Sequence, residues 1–268
     1  LAAHVGSDVA TSSAELGDLA RSLSSLASQL AAVEAQRREL LGDISHEIGT
    51  PVTAIQGYAE TLARGTTDAE TAKEFVSIIH RHALRIHRLV SDLVLLSRLE
   101  GQPAAKAKEP VSILEIVGHV AATVRPRAEE RRARIEIDVA ADVVALGDPD
   151  AVERILLNLV DNAVKHGRDA GRVVVRARQL GDAVTIDVVD DGAGIAPADL
   201  ALVFKRFYRV DKARSRERGG SGLGLAIVQK LAESMGGSAS ATSAPGAGAT
   251  FSIRLPAAST DGNGVAPT

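Results

Sequence analysis

The sequence contains no cysteine and no tryptophan, and aromatic residues make up only 2% of its 268 residues. Without cysteine the chain has no disulfide and no thiolate metal ligand, which is typical of a reducing compartment. Since aromatic side chains are scarce, the 45% of residues that are hydrophobic must build a core from leucine, valine, isoleucine and alanine. The composition therefore excludes a disulfide scaffold and a zinc–thiolate domain.

A strong excess of one charge and a long apolar run are also missing. The formal net charge is -3, so nucleic acid is not an expected partner. No run of about 18 apolar residues occurs, and we therefore predict no membrane-spanning helix in this sequence. The length is typical of about two domains. Because the chain starts at Leu1 without a methionine, we interpret it as a fragment of a longer protein.

The first hundred residues have the apolar spacing of two long helices. Apolar residues recur at alternating intervals of three and four over 16–44, and again over 48–62. These intervals are typical of a coiled-coil seam. A turn-like segment at 64–68 precedes a second heptad pattern over 75–96. The sequence therefore predicts a helical hairpin, and since one hairpin buries little apolar surface, we expect two copies to form a four-helix bundle.

The segment 43–51, Asp-Ile-Ser-His-Glu-Ile-Gly-Thr-Pro, lies where the heptad register slips by one residue. At roughly 100° per helical residue, His46 points away from the isoleucines on either side, so it can face water or a partner. Thr50 follows one turn later on the same side. Pro51 has no N–H, so the carbonyl of Glu47 loses its helical partner and a bend is expected. Alone, the segment is equally compatible with an ordinary exposed histidine on a kinked helix.

Beyond a linker-like segment at 102–110 the pattern changes to mixed helices and strands. The predicted helices are 111–131, one that starts at Pro149 with Asp148 as its N-cap, 197–203 and 223–235; the predicted strands are 134–139, 172–178, 183–189 and 249–255. This order predicts an α/β sandwich. We expect the small, polar tail at 257–268 to be disordered.

One predicted helix presents polar side chains on a single face. Asn158, Asn162 and Lys165 are spaced four and three residues apart, so they share that face. Amide oxygens suit a Mg2+ ion that takes most of its ligands from water and phosphate. The lysine would add a point charge for an anion. The alternative is an ordinary solvated helix face.

Three further segments are typical of phosphate binding. Residues 190–195, Asp-Asp-Gly-Ala-Gly-Ile, close an apolar strand, and 219–225, Gly-Gly-Ser-Gly-Leu-Gly-Leu, enter a helix whose N–H groups could bind an anion. The polar and basic segment 196–219 suggests a lid over phosphates. The aromatic residues of 204–209, Phe-Lys-Arg-Phe-Tyr-Arg, would anchor it while Arg206 or Arg209 reaches the anion. Neither glycine segment matches the dinucleotide fingerprint or the phosphate loop. The alternatives are a plain turn for 190–195, a flexible linker for 219–225 and a surface loop for the aromatic segment.

Taken together, these motifs resemble the sensor histidine kinases of two-component systems. The residues around His46 resemble the phosphoacceptor motif, and the asparagine, Asp-Gly-x-Gly, aromatic and Gly-x-Gly-Leu-Gly segments resemble the ATP-binding domain in the same order. The resemblance covers residues 40–255, and 15–40 resemble the second helix of the HAMP relay. Gly49 is a departure, because the family usually has arginine or lysine there. A glycine in a helix interior costs about 1 kcal/mol relative to alanine.

The resemblance implies ATP-dependent autophosphorylation of His46, which a neutral imidazole could perform by direct attack on the γ-phosphate. Glu47 would orient the ring or take its second proton, and Thr50 would orient water to dephosphorylate the partner. Asn162, assisted by Asn158, would hold Mg2+. The implied ATP-binding set is Asn158, Asn162, Lys165, His166, Asp190, Gly192, Gly194, Ile195, Tyr208, Arg209, Gly220, Gly222, Leu223, Gly224, Leu225 and Thr250.

Within this set the resemblance gives some residues particular roles. Lys165 and Arg209 would contact phosphates, and Asp190 would accept a hydrogen bond from the adenine amino group. Thr250, beside Gly248, would line the adenine end of the pocket. The glycines would shape the pocket. The product of the reaction would be ADP.

The resemblance also implies a domain organisation and partners. Residues 1–39 would be a HAMP-like helix, 40–101 the dimerisation and phosphotransfer hairpin, 102–110 a linker, 111–256 the ATP-binding domain and 257–268 a tail. The expected partners are a second copy of the chain and the receiver domain of a response regulator, without nucleic acid. We expect no membrane contact in this fragment, which would be the cytoplasmic part of a bacterial protein anchored upstream in the inner membrane.

Two other functions stay open. The chain could be a gyrase-like or mismatch-repair-like ATPase that drives a clamp, but that class needs a large downstream domain and has no need of His46. It could also be a scaffold or phosphatase that binds nucleotide without autophosphorylation, which Gly49 favours slightly. The intact asparagine, aspartate and glycine motifs argue against this second alternative.

Overall fold

The structure is a computed structural model of the chain. It describes residues 2–65, 67–101, 108–210 and 220–258, without the side chains of 2–22, 32–33 and 36. Most of the predicted linker, residues 211–219 of the predicted lid, the tail beyond residue 258 and the earliest seam side chains therefore lie outside the described residues. The chain divides into two compact units, 1–83 and 84–268, and each is described by itself.

The first unit confirms the predicted helical hairpin. Helix α1, Ala2–Ala63, continues through Pro51, and helix α2 is Ala69–Gly101. Asp68 caps α2, since its carboxylate accepts hydrogen bonds from the backbone N–H groups of Glu70 at 3.0 Å and Thr71 at 2.9 Å. The hydrogen bonds from Thr71, backbone first, lower the pKa of Asp68. A compact N-cap therefore starts the returning helix.

Leucines of α1 are left uncovered along one stripe of the helix. Leu23, Leu26 and Leu30, spaced three and four residues apart, are 58%, 60% and 64% exposed. A soluble helix seldom leaves such a stripe in water, because burying it is its main source of stability. The stripe coincides with the predicted coiled-coil seam.

The second unit is an α/β sandwich, as predicted. It contains the end of α2 from residue 84 and the following elements: β1 Glu109–Ser112, α3 Ile113–Glu130, β2 Arg134–Val139, β3 Val144–Gly147, α4 Pro149–His166, β4 Arg172–Leu180, β5 Ala183–Asp190, α5 Pro197–Leu200, α6 Gly224–Ser234, β6 Ser238–Ser243 and β7 Ala249–Pro256. The main sheet has the order β2-β4-β5-β7-β6. The β2–β4 pair is parallel and the other pairs are antiparallel.

The core lies between this sheet and its helices. Helix α4 packs between α3 and α6 and against β4 and β5. Its apolar stripe, with Ile155, Leu156 and Leu159 at 1% exposure or less, is buried, as are inward residues of the sheet such as Phe251. These aliphatic residues supply most of the core, as the shortage of aromatics requires. The opposite, polar side of α4 is thereby left for the site.

Three strands were missed or misassigned by the sequence prediction. Glu109 and Pro110, predicted as linker, and Val111 and Ser112, predicted as helix, form β1 instead. The strand forms because β1 pairs in antiparallel register with β3, which has only four residues and was not predicted. Strand β6 was missed because its sequence, Ser-Ala-Ser-Ala-Thr-Ser, has no alternating large apolar residues.

The remaining boundaries differ by small amounts. Helix α5 ends at Leu200 and not at residue 203, since turns follow it. Strand β7 runs to Pro256, and the next two residues remain attached to the sheet edge. Ala257 bridges Ala145, and the N–H of Ala258 donates to the carbonyl of Val144 at 3.1 Å. The predicted tail therefore starts at least two residues too early.

Candidate functional site

Helix α4 supplies one wall of a large cavity in the second unit. Asp148 caps the helix by accepting from the N–H of Asp150 at 3.2 Å, and Pro149 follows in the first turn. Asn158, Asn162 and Lys165 line the cavity, which has a volume of about 1110 Å³. A cavity of this size is ample for a nucleotide-sized ligand.

The amide of Asn158 is oriented by its own helix and by the glycine segment. Its Nδ2 donates to the carbonyl of Arg154 at 2.8 Å. A Cβ on Gly224 would lie 2.8 Å from the Asn158 Oδ1 atom, so only glycine fits there without a shift. The amide oxygen is thus directed toward the N-terminus of α6.

Asp190 ends β5 and is the buried carboxylate of the site, at 6% exposure. Its Oδ1 accepts hydrogen bonds from the N–H groups of Gly192 at 2.9 Å and Ala249 at 3.3 Å. Burial raises the pKa of Asp190, and these two hydrogen bonds oppose that change. Since both described hydrogen bonds use Oδ1, the arrangement presents Oδ2 as an acceptor to a ligand in the cavity.

Two glycines allow the loops around the cavity to approach closely. Gly194 has a φ of +72° and its missing Cβ would lie 2.0 Å from the carbonyl oxygen of Ala244. Gly222 has a φ of +72° and its missing Cβ would lie 2.8 Å from the Cα of Phe207. Any other residue would be strained at both positions. The glycine motifs therefore reflect close backbone packing.

The aromatic segment is fastened to the glycine segment. The N–H of Phe207, a residue held at a φ of 58°, donates to the carbonyl of Gly222 at 2.9 Å. The guanidinium of Arg209 donates to the carbonyl of Gly220. Tyr208 donates to Asp199 at 2.6 Å, which together with burial raises the pKa of the Tyr208 hydroxyl. A positive φ at a bulky residue persists only where its surroundings enforce it, so this junction is specifically built.

Most of the residues predicted to bind ATP come together around this cavity. Those that line it are Asn158, Asn162, Lys165, His166, Asp190, Gly194, Ile195, Tyr208, Arg209, Gly220, Gly222, Gly224 and Leu225. Gly192 does not line it but lies behind Asp190, where a Cβ would be 2.4 Å from the carbonyl oxygen of His166. Its predicted role of shaping the pocket is therefore indirect.

Two residues of the predicted set, Thr250 and Leu223, do not line the cavity. Successive residues of a strand point to opposite faces, and in β7 it is Ala249 and Phe251 that line the cavity. Thr250 pairs with Thr242 of β6 on the other face of the sheet. The side chain of Leu223 is fully buried in the core. Its backbone N–H donates to the Ser221 hydroxyl at 3.3 Å.

Several charged residues of the cavity were not anticipated from the sequence. Arg88 and Asp92 of α2, Arg127 of α3, and Arg154 and Asp161 of α4 all line it. Asp92 accepts from Arg154 at 2.9 Å, and burial raises the pKa of Asp92 against the effect of this arginine. Arg154 and Asp161 had a usable signal, because they lie four residues before Asn158 and Lys165, respectively, on one helix. Arg88, Asp92 and Arg127 belong to elements that are distant in sequence.

His46 occupies an exposed position on α1, in the first unit. Its side chain is 61% exposed, and its Nδ1 lies 4.0 Å from the Oε1 of Glu47, which is only 15% exposed. The hydroxyl of Thr50 donates to the carbonyl of His46 at 3.2 Å. As predicted, the imidazole faces outward with Thr50 on the same side. A shallow groove runs beside it, lined by Ser45, His46, Gly49, Thr50, Thr53 and Ala54.

Gly49→Ala is expected to stabilise α1 by about 1 kcal/mol, because alanine has the higher helix propensity. The backbone of Gly49 is not in the left-handed region, and an added Cβ would meet nothing within 4 Å. The measurement is the midpoint of helix loss on heating or in urea, followed by circular dichroism. Gly57→Ala is the matched control, since Gly57 also lies in α1 with an open Cβ position. Stabilisation by Gly57→Ala with destabilisation by Gly49→Ala would show that Gly49 is required for more than flexibility.

Two absences hold for the part of the chain that the structure describes. It contains no helix long and apolar enough to cross a membrane. Within the same residues, no group of three or more histidine, cysteine, aspartate or glutamate side chains could bind a metal ion.

Comparisons with known proteins match both units. Residues 36–102 match the family described as "His Kinase A (phospho-acceptor) domain", and 147–259 match "Histidine kinase-, DNA gyrase B-, and HSP90-like ATPase". The chain is 38% identical over 230 residues to the sensor-like histidine kinase SenX3 of Mycobacterium tuberculosis. That match covers 86% of this chain and 56% of SenX3. The chain thus spans only about half the length of this curated relative.

Among solved structures, the chain is likewise similar to histidine kinases. The mycobacterial sensor histidine kinase MprB is 33% identical, with a TM-score of 0.50, over 56% of this chain and 97% of that one. Full-length ShkA, solved in complex with AMPPNP, is 32% identical with a TM-score of 0.62, over 83% of this chain and 46% of that one. The likeness to ShkA includes the helical as well as the α/β part of this chain.

Proposed function

Because the chain belongs to the sensor histidine kinase family, we propose that it binds ATP and transfers the γ-phosphoryl group to His46. From there the group passes to an aspartate in the receiver domain of a response regulator. The observation that supports this most is the convergence of Asn162, Lys165 and Asp190 with two glycine segments around one cavity. The same chain presents a mostly exposed histidine beside a carboxylate.

In the proposed complex, adenine lies at the Asp190 end of the cavity. Its amino group would donate to the Asp190 Oδ2, because Oδ1 already accepts two backbone hydrogen bonds. Lys165 and Arg209 line the cavity and would contact the phosphates. The N-terminus of α6 would add backbone N–H groups and a partial positive charge.

The cavity residues fit a Mg2+ ion carried by the nucleotide. Asn158 and Asn162 offer neutral amide oxygens, and the hydrogen bond of the Asn158 Nδ2 with Arg154 fixes which end of that amide faces the ligand. A Mg2+ ion with few protein ligands and several phosphate and water ligands suits this donor set. When bound, it would neutralise charge on the phosphates.

His46 would act as the nucleophile. Its Nδ1 lies toward Glu47, which leaves Nε2 to attack the γ-phosphorus. The new N–P bond forms as the bond between the γ-phosphorus and the β–γ bridging oxygen breaks, and ADP leaves with that electron pair. Glu47 would take the remaining ring proton from Nδ1. Positioning and charge neutralisation would provide most of the rate enhancement.

We propose that the chain acts as a homodimer. The exposed seam leucines of α1, Leu23, Leu26 and Leu30, support it, because a second copy could cover them as a coiled coil. Residues 36–102 match a phosphoacceptor domain of the family. The division into a HAMP-like helix, a hairpin and an ATP-binding domain belongs to the same proposal.

The test is incubation of the chain with γ-labelled ATP and Mg2+, followed by addition of receiver domains. We expect label on the chain that is lost in acid and stable in base, as a phosphohistidine requires, and then transfer to a receiver domain. Nucleotide binding without label would favour the scaffold alternative over a kinase. ATP hydrolysis without a labelled intermediate would favour a clamp-like ATPase.

Thr50→Ala is expected to slow dephosphorylation of a phosphorylated receiver domain by ~100-fold or more while leaving phosphorylation of His46 unchanged. The reason is that the Thr50 hydroxyl lies one turn from His46 and could orient the attacking water. The measurement is loss of label from the receiver domain in the presence of ADP. Thr53→Ala is the matched control, since its hydroxyl likewise donates to a helix carbonyl, that of Gly49, at 3.0 Å. Equal effects of the two variants would exclude a specific role for Thr50.

A further inference from the structure

Asp161 lies between two cations that line the nucleotide cavity. Its Oδ2 is 2.8 Å from the Nζ of Lys165, one turn along α4. Its Oδ1 accepts a hydrogen bond from the Nη1 of Arg127, which belongs to α3. The carboxylate is only 23% exposed and therefore bridges two helices at a partly buried position. A bridging carboxylate at this depth fixes both cations relative to each other.

The surroundings of Lys165 disfavour its protonated form, and the carboxylate of Asp161 favours it. Its side chain is 17% exposed, and burial lowers the pKa of Lys165 to about 8, with smaller contributions from the charges of Arg127 and Arg88. These effects favour the neutral amine, whereas the carboxylate of Asp161 favours the ammonium form. The other charged or titratable residues that line the cavity are Arg85, Asp92, Glu130, Asp150, Glu153, Arg154, His166, Asp190, Tyr208 and Arg209.

We propose that Asp161 is a positioning residue that bridges Arg127 to Lys165 and keeps both cations directed at the nucleotide phosphates. This inference rests on the proposed function, in which Lys165 contacts those phosphates. It adds Arg127 to the phosphate end of the cavity. It also gives the carboxylate of Asp161 a specific role, whereas a solvated polar helix face would need no particular side chain there. Without the carboxylate, two like charges would face each other and the half-exposed Arg127 would turn toward solvent.

The proposal predicts how nucleotide affinity varies with pH. The ammonium form of Lys165 binds phosphate, so affinity is constant below the free-state pKa of about 8. Above that pH, binding requires uptake of a proton, and affinity falls by about tenfold per pH unit. Loss of Asp161 lowers the pKa of Lys165 further, so the fall begins at lower pH. This shift of the midpoint toward acid comes in addition to any weakening at every pH that follows when Arg127 turns toward solvent.

The experiment measures the dissociation constant of ADP with the full chain, at fixed Mg2+, across pH values that bracket the Lys165 pKa of about 8. Asp161→Asn removes the charge and keeps the side-chain size. We expect the midpoint of its affinity loss to move toward acid by about one unit or more, with affinity about tenfold weaker near pH 8. Asp161→Glu restores a carboxylate and should return the midpoint toward that of the wild type.

Lys165→Met separates the inference from the proposed function. If Lys165 contacts the phosphates, this variant binds ADP more weakly and loses the alkaline fall. An unchanged affinity and pH profile in Lys165→Met would instead remove Lys165 from the phosphate site and undo that part of the proposed function. If Lys165→Met behaves as expected but Asp161→Asn keeps the wild-type midpoint with weaker binding at every pH, Asp161 is merely structural and the proposal is overturned.

Discussion

His46→Gln is expected to abolish the transfer of label from γ-labelled ATP to the chain, a loss of ~10³-fold or more. Glutamine has about the same reach but no ring nitrogen with a nucleophilic lone pair, so the N–P bond cannot form. The cavity that we propose for ATP is made of residues of the second unit, while His46 lies in the first. Binding of ADP should therefore be unchanged in this variant. Loss of transfer with intact binding identifies the acceptor.

The control for this prediction is a second exposed histidine. His80 of α2 is also exposed and lies in the same unit. His80→Gln should keep full labelling, because its substitution removes an imidazole without removing the proposed nucleophile. Equal labelling of wild type and His46→Gln would refute the assignment of His46. Label on His46→Gln that is stable to acid would indicate a hydroxyl acceptor.

The features that the sequence predicted well are those with a local periodicity. The polar face of α4 follows from spacings of four and three, and its start follows from Asp148 and Pro149. The outward position of His46 follows from the angular step of a helix. The spacing of residues on one helix fixes which side chains share a face. Packing against other elements adds contacts to those side chains but does not change the face on which they lie.

The features that the sequence did not predict depend on which other segment of the chain a strand pairs with. Strand β1 exists because it pairs with β3, and neither is long enough to show its own pattern. The resemblance implied Thr250 at the adenine end, whereas Ala249 and Phe251 of β7 line the cavity, since alternate residues of a strand face opposite sides. An alanine therefore stands at the cavity where a hydroxyl was expected.

Ion pairs between elements that are distant in sequence are a further group of features that the sequence did not predict. The ion pair of Asp92 with Arg154 joins residues 62 positions apart, and that of Arg127 with Asp161 joins residues 34 positions apart. No periodicity relates such positions. Yet we expect these pairs to decide the electrostatics of the cavity, because they set which cations lie near the proposed phosphate site and how easily Lys165 loses its proton.

Asn162→Ala is expected to weaken binding of ATP with Mg2+ by ~100-fold or more, since removal of even an outer-shell partner costs 10–100-fold in metal affinity. Asn162 lines the cavity on the same face of α4 as Lys165. Its amide oxygen is the proposed protein ligand of the ion, and methyl cannot replace it. The measurement is the ratio of nucleotide affinities with Mg2+ and with EDTA, which needs no turnover.

The ratio distinguishes loss of the metal ligand from loss of the cavity. Wild-type protein should bind nucleotide more tightly with Mg2+ than with EDTA, whereas Asn162→Ala should bind about equally in both. Asn158→Ala is the comparison variant, because the Nδ2 of Asn158 already donates to Arg154 and only its oxygen is offered to the ion. If Asn162→Ala retains the full advantage of Mg2+, the ion is held elsewhere. A parallel fall in both conditions would show that Asn162 shapes the cavity rather than binds the metal.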